Sequence, residues 1–261
     1  MLIVDGEFNF TEAEASGFCK WYLRQTVGDV TDEFTTEEER QKFLLQRERR
    51  LQIQLDELLH LTFDHPIVCE VDKKPYMKIV KASHAKPLSS VGSTIANSRF
   101  NYKNLQPLAT RSIYFGQDKF CCYAEKFHLD IQRRNYAQLV QRTVEEQQYE
   151  FVFEPHEFHE YAVHLDKVLV LTSEASYKAI GIPDRVVKDE WFSVNDDFEI
   201  PTAGQILGRV AANSGYQGIL YTSVRTQTTN NLVVFEENTG PLQFKLLNKI
   251  ALDPTTFESP S

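Results

Sequence analysis

The sequence predicts an α+β fold, a mixed β-sheet core with flanking helices preceded by a helical N-terminal region. Three observations carry this. Apolar residues recur at helical spacing from Thr11 to Leu61. At "FDHPIV" the texture changes to short runs rich in β-branched and aromatic residues. Two further helical patterns interrupt those runs, which is the layout of a sheet packed against helices. The chain of 261 residues thus divides into a helical N-terminal region, residues 1–70, and a larger α+β domain, residues 71–261.

Taken in order, "TEAEASGFCKWYLRQTV" opens on a capping-box-like Thr11–Glu14. "TTEEERQKFLLQRERRLQIQLDELLHL" follows, with acids early and Phe43, Leu44, Leu51, Leu55, Leu58 and Leu59 forming one apolar stripe of an amphipathic helix. Its charge run reads as a solvated face. The strand-forming runs are "PIVCEV", "MKIVKA", "RSIYF", "KVLVLT", "GILYTSV", "NLVVFE" and "QFKLL". One helical pattern runs from about Asp118 to Gln148; the other, "TAGQILGRVAANSG", ends at Gly215 as a C-cap. The tail "DPTTFESPS" reads as a frayed end.

Composition bounds the function. A formal net charge of -9 argues against a broad nucleic-acid-binding face, which needs a basic surplus to neutralise phosphates. It leaves room for an anionic small ligand held by one or two local cations. Cys19, Cys69, Cys121 and Cys122 form no CxxC pair and read as reduced, mostly buried thiols, as expected inside a cell. The opening "MLIVDGEFNF" is not a signal peptide and no run is long enough to span a membrane, so a cytoplasmic location is expected.

Several motifs read as structure. "HEFHEYAVH" carries His156, His159 and His164, but not at zinc-protease spacing, and is expected as a polar loop or helix start with no metal. "GQILG" lacks the Lys-Ser/Thr of a phosphate loop, so Gly204 and Gly208 point to close helix packing. No GxSxG or GxGxxG occurs.

The candidates for chemistry are spread along the chain. Arg99, in "SRFN" after the small polar stretch "GSTIAN", could clamp a phosphate bidentately or form a surface salt bridge. Tyr114, in "RSIYFG", lies on the opposite strand face from Ile113 and Phe115, as core or as a stacking platform. Glu125 is an acid in the apolar setting "FCCYAEKF", snorkelling to solvent or held for chemistry. Ser223 ends the run "GILYTS", and Asn230 or Asn231 opens "NNLVVF".

In that order these elements, with "SIYFGQDKFCCYAEKF" and "TAGQILGRVAANSGYQGILYTSVR", resemble the RES-domain family over roughly residues 75–250. Phe100 stands where many of its members have Trp. The family is named for its Arg, Glu and Ser, and its bacterial toxin members fold like ADP-ribosyltransferases and break down NAD. The resemblance implies an ADP-ribosyltransferase-like core and NAD as substrate, without a metal. It implies that Arg99 contacts the diphosphate, Tyr114 lies by the nicotinamide, and Glu125 is the central acid. Ser223 and Asn231, with Asn230 competing for the latter role, complete the pocket. The expected activity is cleavage of the nicotinamide–ribose bond by hydrolysis or phosphorolysis, as a toxin with an antitoxin or immunity protein as partner. The same pocket could instead transfer ADP-ribose to a macromolecule, and a non-catalytic binding module is a third reading. Homo-oligomerisation is left open by the sequence.

Overall fold

The apolar–polar runs at the start of the chain, Leu2–Val4 (β1) and Phe8–Phe10 (β2), pair antiparallel with Leu2 opposite Phe10. In this computed structural model the described residues are 2–4, 8–10, 68–103, 109–127, 155–180, 184–188 and 201–252. The expected N-terminal helices over 11–61, the helical pattern beyond residue 127 and the tail from residue 253 lie outside them.

The larger sheet begins with β3, Val68–Lys81. It joins the "VCEV" end of one expected run to "MKIVK" of the next across irregularities between Cys69 and Lys74, where Lys73 adopts a φ of 50°. That bulge explains why the sequence shows two runs: the alternation loses phase at the Lys pair. A short helix, Val91–Ile95 (α1), precedes β4, Ser112–Gly116. Residues 119–127 are helical (α2).

Next comes β5, His156–Leu171. Its first half is "HEFHEYAVH", so the expected loop or helix start is a strand. The reason is a period of two: Tyr161, Val163 and Leu165 are buried, while Glu160, Ala162 and His164 between them are only partly so. The three histidines do not converge. His159 pairs with Glu157 at 2.8 Å, and His164 pairs with Asp72 at 3.0 Å. Glu70, Asp72 and His164 do bring possible ligand atoms within 4.8 Å of one another, with both acids exposed.

Two short helices, Glu174–Ile180 (α3) and Arg185–Lys188 (α4), lead towards the longer Ala203–Asn213 (α5). Thr202 and Gln205 form a reciprocal capping box at the start of α5. At its end, Gly215 N donates to Ala212 O and Tyr216 N to Ala211 O, with Gly215 at a φ of 75°. That is a Schellman closure, and glycine suits its left-handed residue. Strands β6 (Gly218–Thr222), β7 (Asn230–Phe235) and β8 (Phe244–Ala251) complete the described elements.

The six strands run β3-β4-β7-β6-β5-β8, and β3 also pairs with β5. Five strands therefore close on themselves, the β3–β4 seam resting on one pair, Met77 opposite Gly116. The β5–β6 pairing is parallel and the others are antiparallel. Inside the ring pack Val71, Ile113, Phe115, Val163, Leu165, Val168, Leu232 and Val234. The outward face of β5, β6 and β7 buries Leu169, Leu171, Ile219, Tyr221, Val233 and Phe235 against α3, α4, α5 and Phe100. A third cluster seats Cys122 and Phe127 of α2 on Ile79 and Phe158. Among the described residues no helix is long and apolar enough to cross a membrane.

Gly208 does provide close packing: a Cβ there would meet Phe100 O at 2.2 Å. Gly208→Ala is expected to destabilise the fold by about 1–3 kcal/mol, read from urea denaturation. Burial pushes the hydroxyls of Tyr76, Tyr114, Tyr161 and Tyr177 up to about 12. These phenols keep their protons in the folded chain after the unfolded chain has begun to lose its own near pH 10. Their contribution is complete below pH 10 and is lost as pH rises towards 12. A urea midpoint that falls across that window, less steeply in Tyr76→Phe, is the expected result.

Candidate active site

Two polar assemblies form, one around Glu125 and one around Arg99. The first begins where β4 ends. Gly116 lies opposite Asn231 of β7, and Asn231 lies opposite Tyr221 of β6, so the three share one cross-strand row. A Cβ on Gly116 would meet Cys122 Sγ at 2.7 Å, so glycine lets α2 start hard against the strand end. Asp118 Oδ1 accepts from Cys121 N at 2.7 Å and caps the first turn.

From there α2 carries Glu125 to the strand ends. Glu125 Oε1 accepts from Ser223 Oγ at 2.7 Å and from Asn231 Nδ2 at 2.7 Å. Ser223 Oγ also accepts from the backbone amides of Arg225 and Thr226, each at 3.2 Å. Its proton is thereby aimed at the carboxylate, which is an acceptor-only group when ionised. Of the two candidate amides, Asn231 reaches Glu125, whereas Asn230 Oδ1 accepts from Thr222 Oγ1 at 3.4 Å. Cys121, which the sequence suggested only as a reduced, buried thiol, donates from Sγ to Asn231 Oδ1 at 3.0 Å.

The second assembly is the turn that holds Arg99. Ser98 and Asn101 exchange backbone hydrogen bonds across it. Tyr114 Oη hydrogen-bonds Ser98 Oγ at 2.8 Å and accepts from Phe100 N at 3.1 Å, gripping both neighbours of Arg99. Gln205 Nε2 donates to the carbonyls of Ser98 and Asn101 at 2.9 and 3.2 Å. Arg99 is buried and donates from Nη1 to the carbonyl of Val187 in α4. Neither a stacking platform nor a plain core residue describes Tyr114 fully, because its hydroxyl is a structural acceptor for the Arg99 turn.

Tyr221 links the two assemblies. It is buried, it meets the Phe100 ring edge-on at 4.9 Å, and its hydroxyl feels the charges of both Glu125 and Arg99. Burial is the main cause that raises its ionisation well above the ordinary value; Glu125 adds to it and Arg99 opposes it. Sequence reasoning missed Tyr221, Gln205 and Cys121; no local pattern marks them.

A cleft of about 640 Å³ lies beside the ends of β5 and β6 and against α3 and α4. Thr222 and Gln227 line it from the β6–β7 side, Thr172 and Tyr177 from the end of β5 and α3, and Asp184 and Lys188 from α4. Arg99 and Glu125 are not among its described lining residues, but each is bonded to a chain neighbour of one that is, Val187 beside Lys188 and Ser223 beside Thr222. Its size is in the range of small-molecule sites.

Comparison with known proteins assigns the class. The sequence model of the RES domain matches residues 72–248. The chain therefore belongs to the RES-domain family. Among curated protein sequences none matches it significantly. A chain of the crystal structure of the M. tuberculosis MbcT–MbcA toxin–antitoxin complex aligns at 21% identity with a TM-score of 0.49, over 82% of this chain and 94% of that one.

Tyr114→Phe removes the acceptor for the Phe100 amide and the partner of Ser98. A loss of about 1–3 kcal/mol is expected, measured by urea denaturation; an unchanged midpoint would mean that the hydroxyl does not hold this turn.

Proposed function

We propose that the chain cleaves the bond between nicotinamide and ribose in NAD, with an antitoxin or immunity protein as its natural restraint. The observation that carries this reading is the carboxylate of Glu125, held by Ser223 Oγ and Asn231 Nδ2 within a RES-domain chain. The mixed sheet supports an ADP-ribosyltransferase-like reading of the core, and family membership supports the toxin role and the partner.

In the reaction the C–N bond breaks and nicotinamide leaves as a neutral base with the bonding electrons. Positive charge then develops over the ribose C1 and ring oxygen, as in glycoside cleavage. A fixed carboxylate beside that centre stabilises it without reorganising. Ser223 and Asn231 hold Glu125 in one rotamer, so its charge is in place before the bond breaks. Arg99 orients the diphosphate, and the aromatic wall of Tyr114, Phe100 and Tyr221 limits water. Water or phosphate completes the reaction; with water the products are nicotinamide, ADP-ribose and a proton.

Ser223 is better cast as an orienting group than as a nucleophile. Its hydroxyl proton is committed to Glu125, and its lone pairs face two amides. Catalysis then depends on the alignment of three side chains rather than on a covalent intermediate.

Release of nicotinamide from NAD by the pure, partner-free protein tests the reading, with and without inorganic phosphate. Glu125→Gln keeps the side-chain size and removes the charge. It is expected to lower turnover by about 100-fold or more with little change in the unfolding midpoint. Full NAD consumption by that variant would refute the assignment. Label transferred to a protein, in place of free nicotinamide, would establish ADP-ribosyl transfer instead.

A further inference from the structure

We propose that Cys121 is a positioning residue for this reaction, because its thiol sets which way the carboxamide of Asn231 faces and so makes that amide a donor to Glu125. The inference rests on the reading of Glu125 as the central acid and adds a group outside the Arg, Glu and Ser for which the family is named.

A carboxamide has one donor end and one acceptor end, and rotation by half a turn exchanges them. At Asn231 both ends are engaged. Nδ2 donates to Glu125 Oε1 at 2.7 Å, and Oδ1 accepts from Cys121 Sγ at 3.0 Å. In the reversed orientation Oδ1 would face a carboxylate oxygen, and two acceptors would repel. The thiol has a second acceptor, the Asn230 carbonyl, only at 3.8 Å, so the 3.0 Å contact with Oδ1 is the one that favours this orientation from the other side.

The geometry is built rather than incidental. Cys121 and Glu125 stand four residues apart on α2, so they share a helix face and both reach the same amide. The Asp118 cap and the close approach of Gly116 to Cys122 fix where α2 begins, and hence where both side chains point. Cys121 and Asn231 are both buried, which leaves little room for water to replace the thiol. Burial, with the Glu125 charge adding to it, raises the ionisation of Cys121, so the sulfur keeps the proton it donates.

The experiment compares Cys121→Ser, which keeps an O–H donor, with Cys121→Ala, which has none. Steady-state nicotinamide release is measured together with the side-chain amide signal of Asn231 by NMR, identified by its loss in Asn231→Asp. The expected result is a kcat reduced by about tenfold or more in Cys121→Ala, with KM little changed, and most of the loss recovered in Cys121→Ser. The Asn231 signal is expected to shift or broaden in the alanine variant and to stay near its wild-type position in the serine variant. Equal kcat for wild type and Cys121→Ala, or equal impairment of both variants at matched folding, would overturn the proposal. The amide signal decides the matter independently of turnover. If wild type releases no nicotinamide, the functional reading fails, yet an undisturbed Asn231 signal in Cys121→Ala still overturns the positioning role and a disturbed one upholds it.

Discussion

The register of β4, β7 and β6 is the constraint from which the Glu125 assembly follows. Gly116, Asn231 and Tyr221 stand in one cross-strand row. A slip of β7 by one residue would turn Asn231 to the interior of the ring, away from Tyr221. Two apolar layers hold that register in place. Ile113, Phe115, Leu232 and Val234 fill the ring, while Val233, Phe235, Ile219 and Leu169 cover its outer face. Slippage of β7 would exchange the side chains of the two layers and misfit both, so the position of one amide is backed by the packing of the whole sheet.

Onto that row the chain adds a helix whose start leaves little freedom. Gly116 allows the contact with Cys122, Asp118 caps the first turn, and Gln117 N donates to Asn230 O at 2.9 Å. Glu125 then meets donors from two separate places, the residue after β6 and the second residue of β7. The Arg99 turn is held by a different set of partners, Tyr114 from β4 and Gln205 from α5. Tyr221 lies within the field of both charges, and in such a poorly hydrated setting those charges act more strongly than in water.

Membership of the RES-domain family and the geometry bear on different questions. The family match covers residues 72–248 and defines the class. The geometry shows contacts within it: Asn231 rather than Asn230 bonds Glu125, Ser223 donates to the same carboxylate, Tyr114 accepts from the Arg99 turn, and the Val187 carbonyl receives the guanidinium. The neighbouring cleft is walled by hydroxyl, amide and charged groups from Thr172, Thr222, Gln227, Asp184 and Lys188.

Much of the sheet was legible in the sequence, because a strand with one or both faces buried shows its alternation or its apolar run locally. β4, β6 and β7 and the helix closed by Gly215 are of this kind, while β8 is largely exposed and was marked only by its short Phe-Lys-Leu-Leu run. The first half of β5 was not legible, since His156 and His159 occupy buried positions where apolar residues would have announced a strand. β3 looked like two pieces because the bulge at Lys73 breaks its phase. Arg99, Glu125, Ser223 and Asn231 could be picked out as a spaced set, but nothing in the spacing says which of them touch. Glu125 and Asn231 are 106 positions apart, and Cys121 and Asn231 are 110 apart. Local sequence therefore decided the elements and the kinds of side chain available. Contact between residues so distant was left to strand register and helix placement, which only burial of the whole core can select.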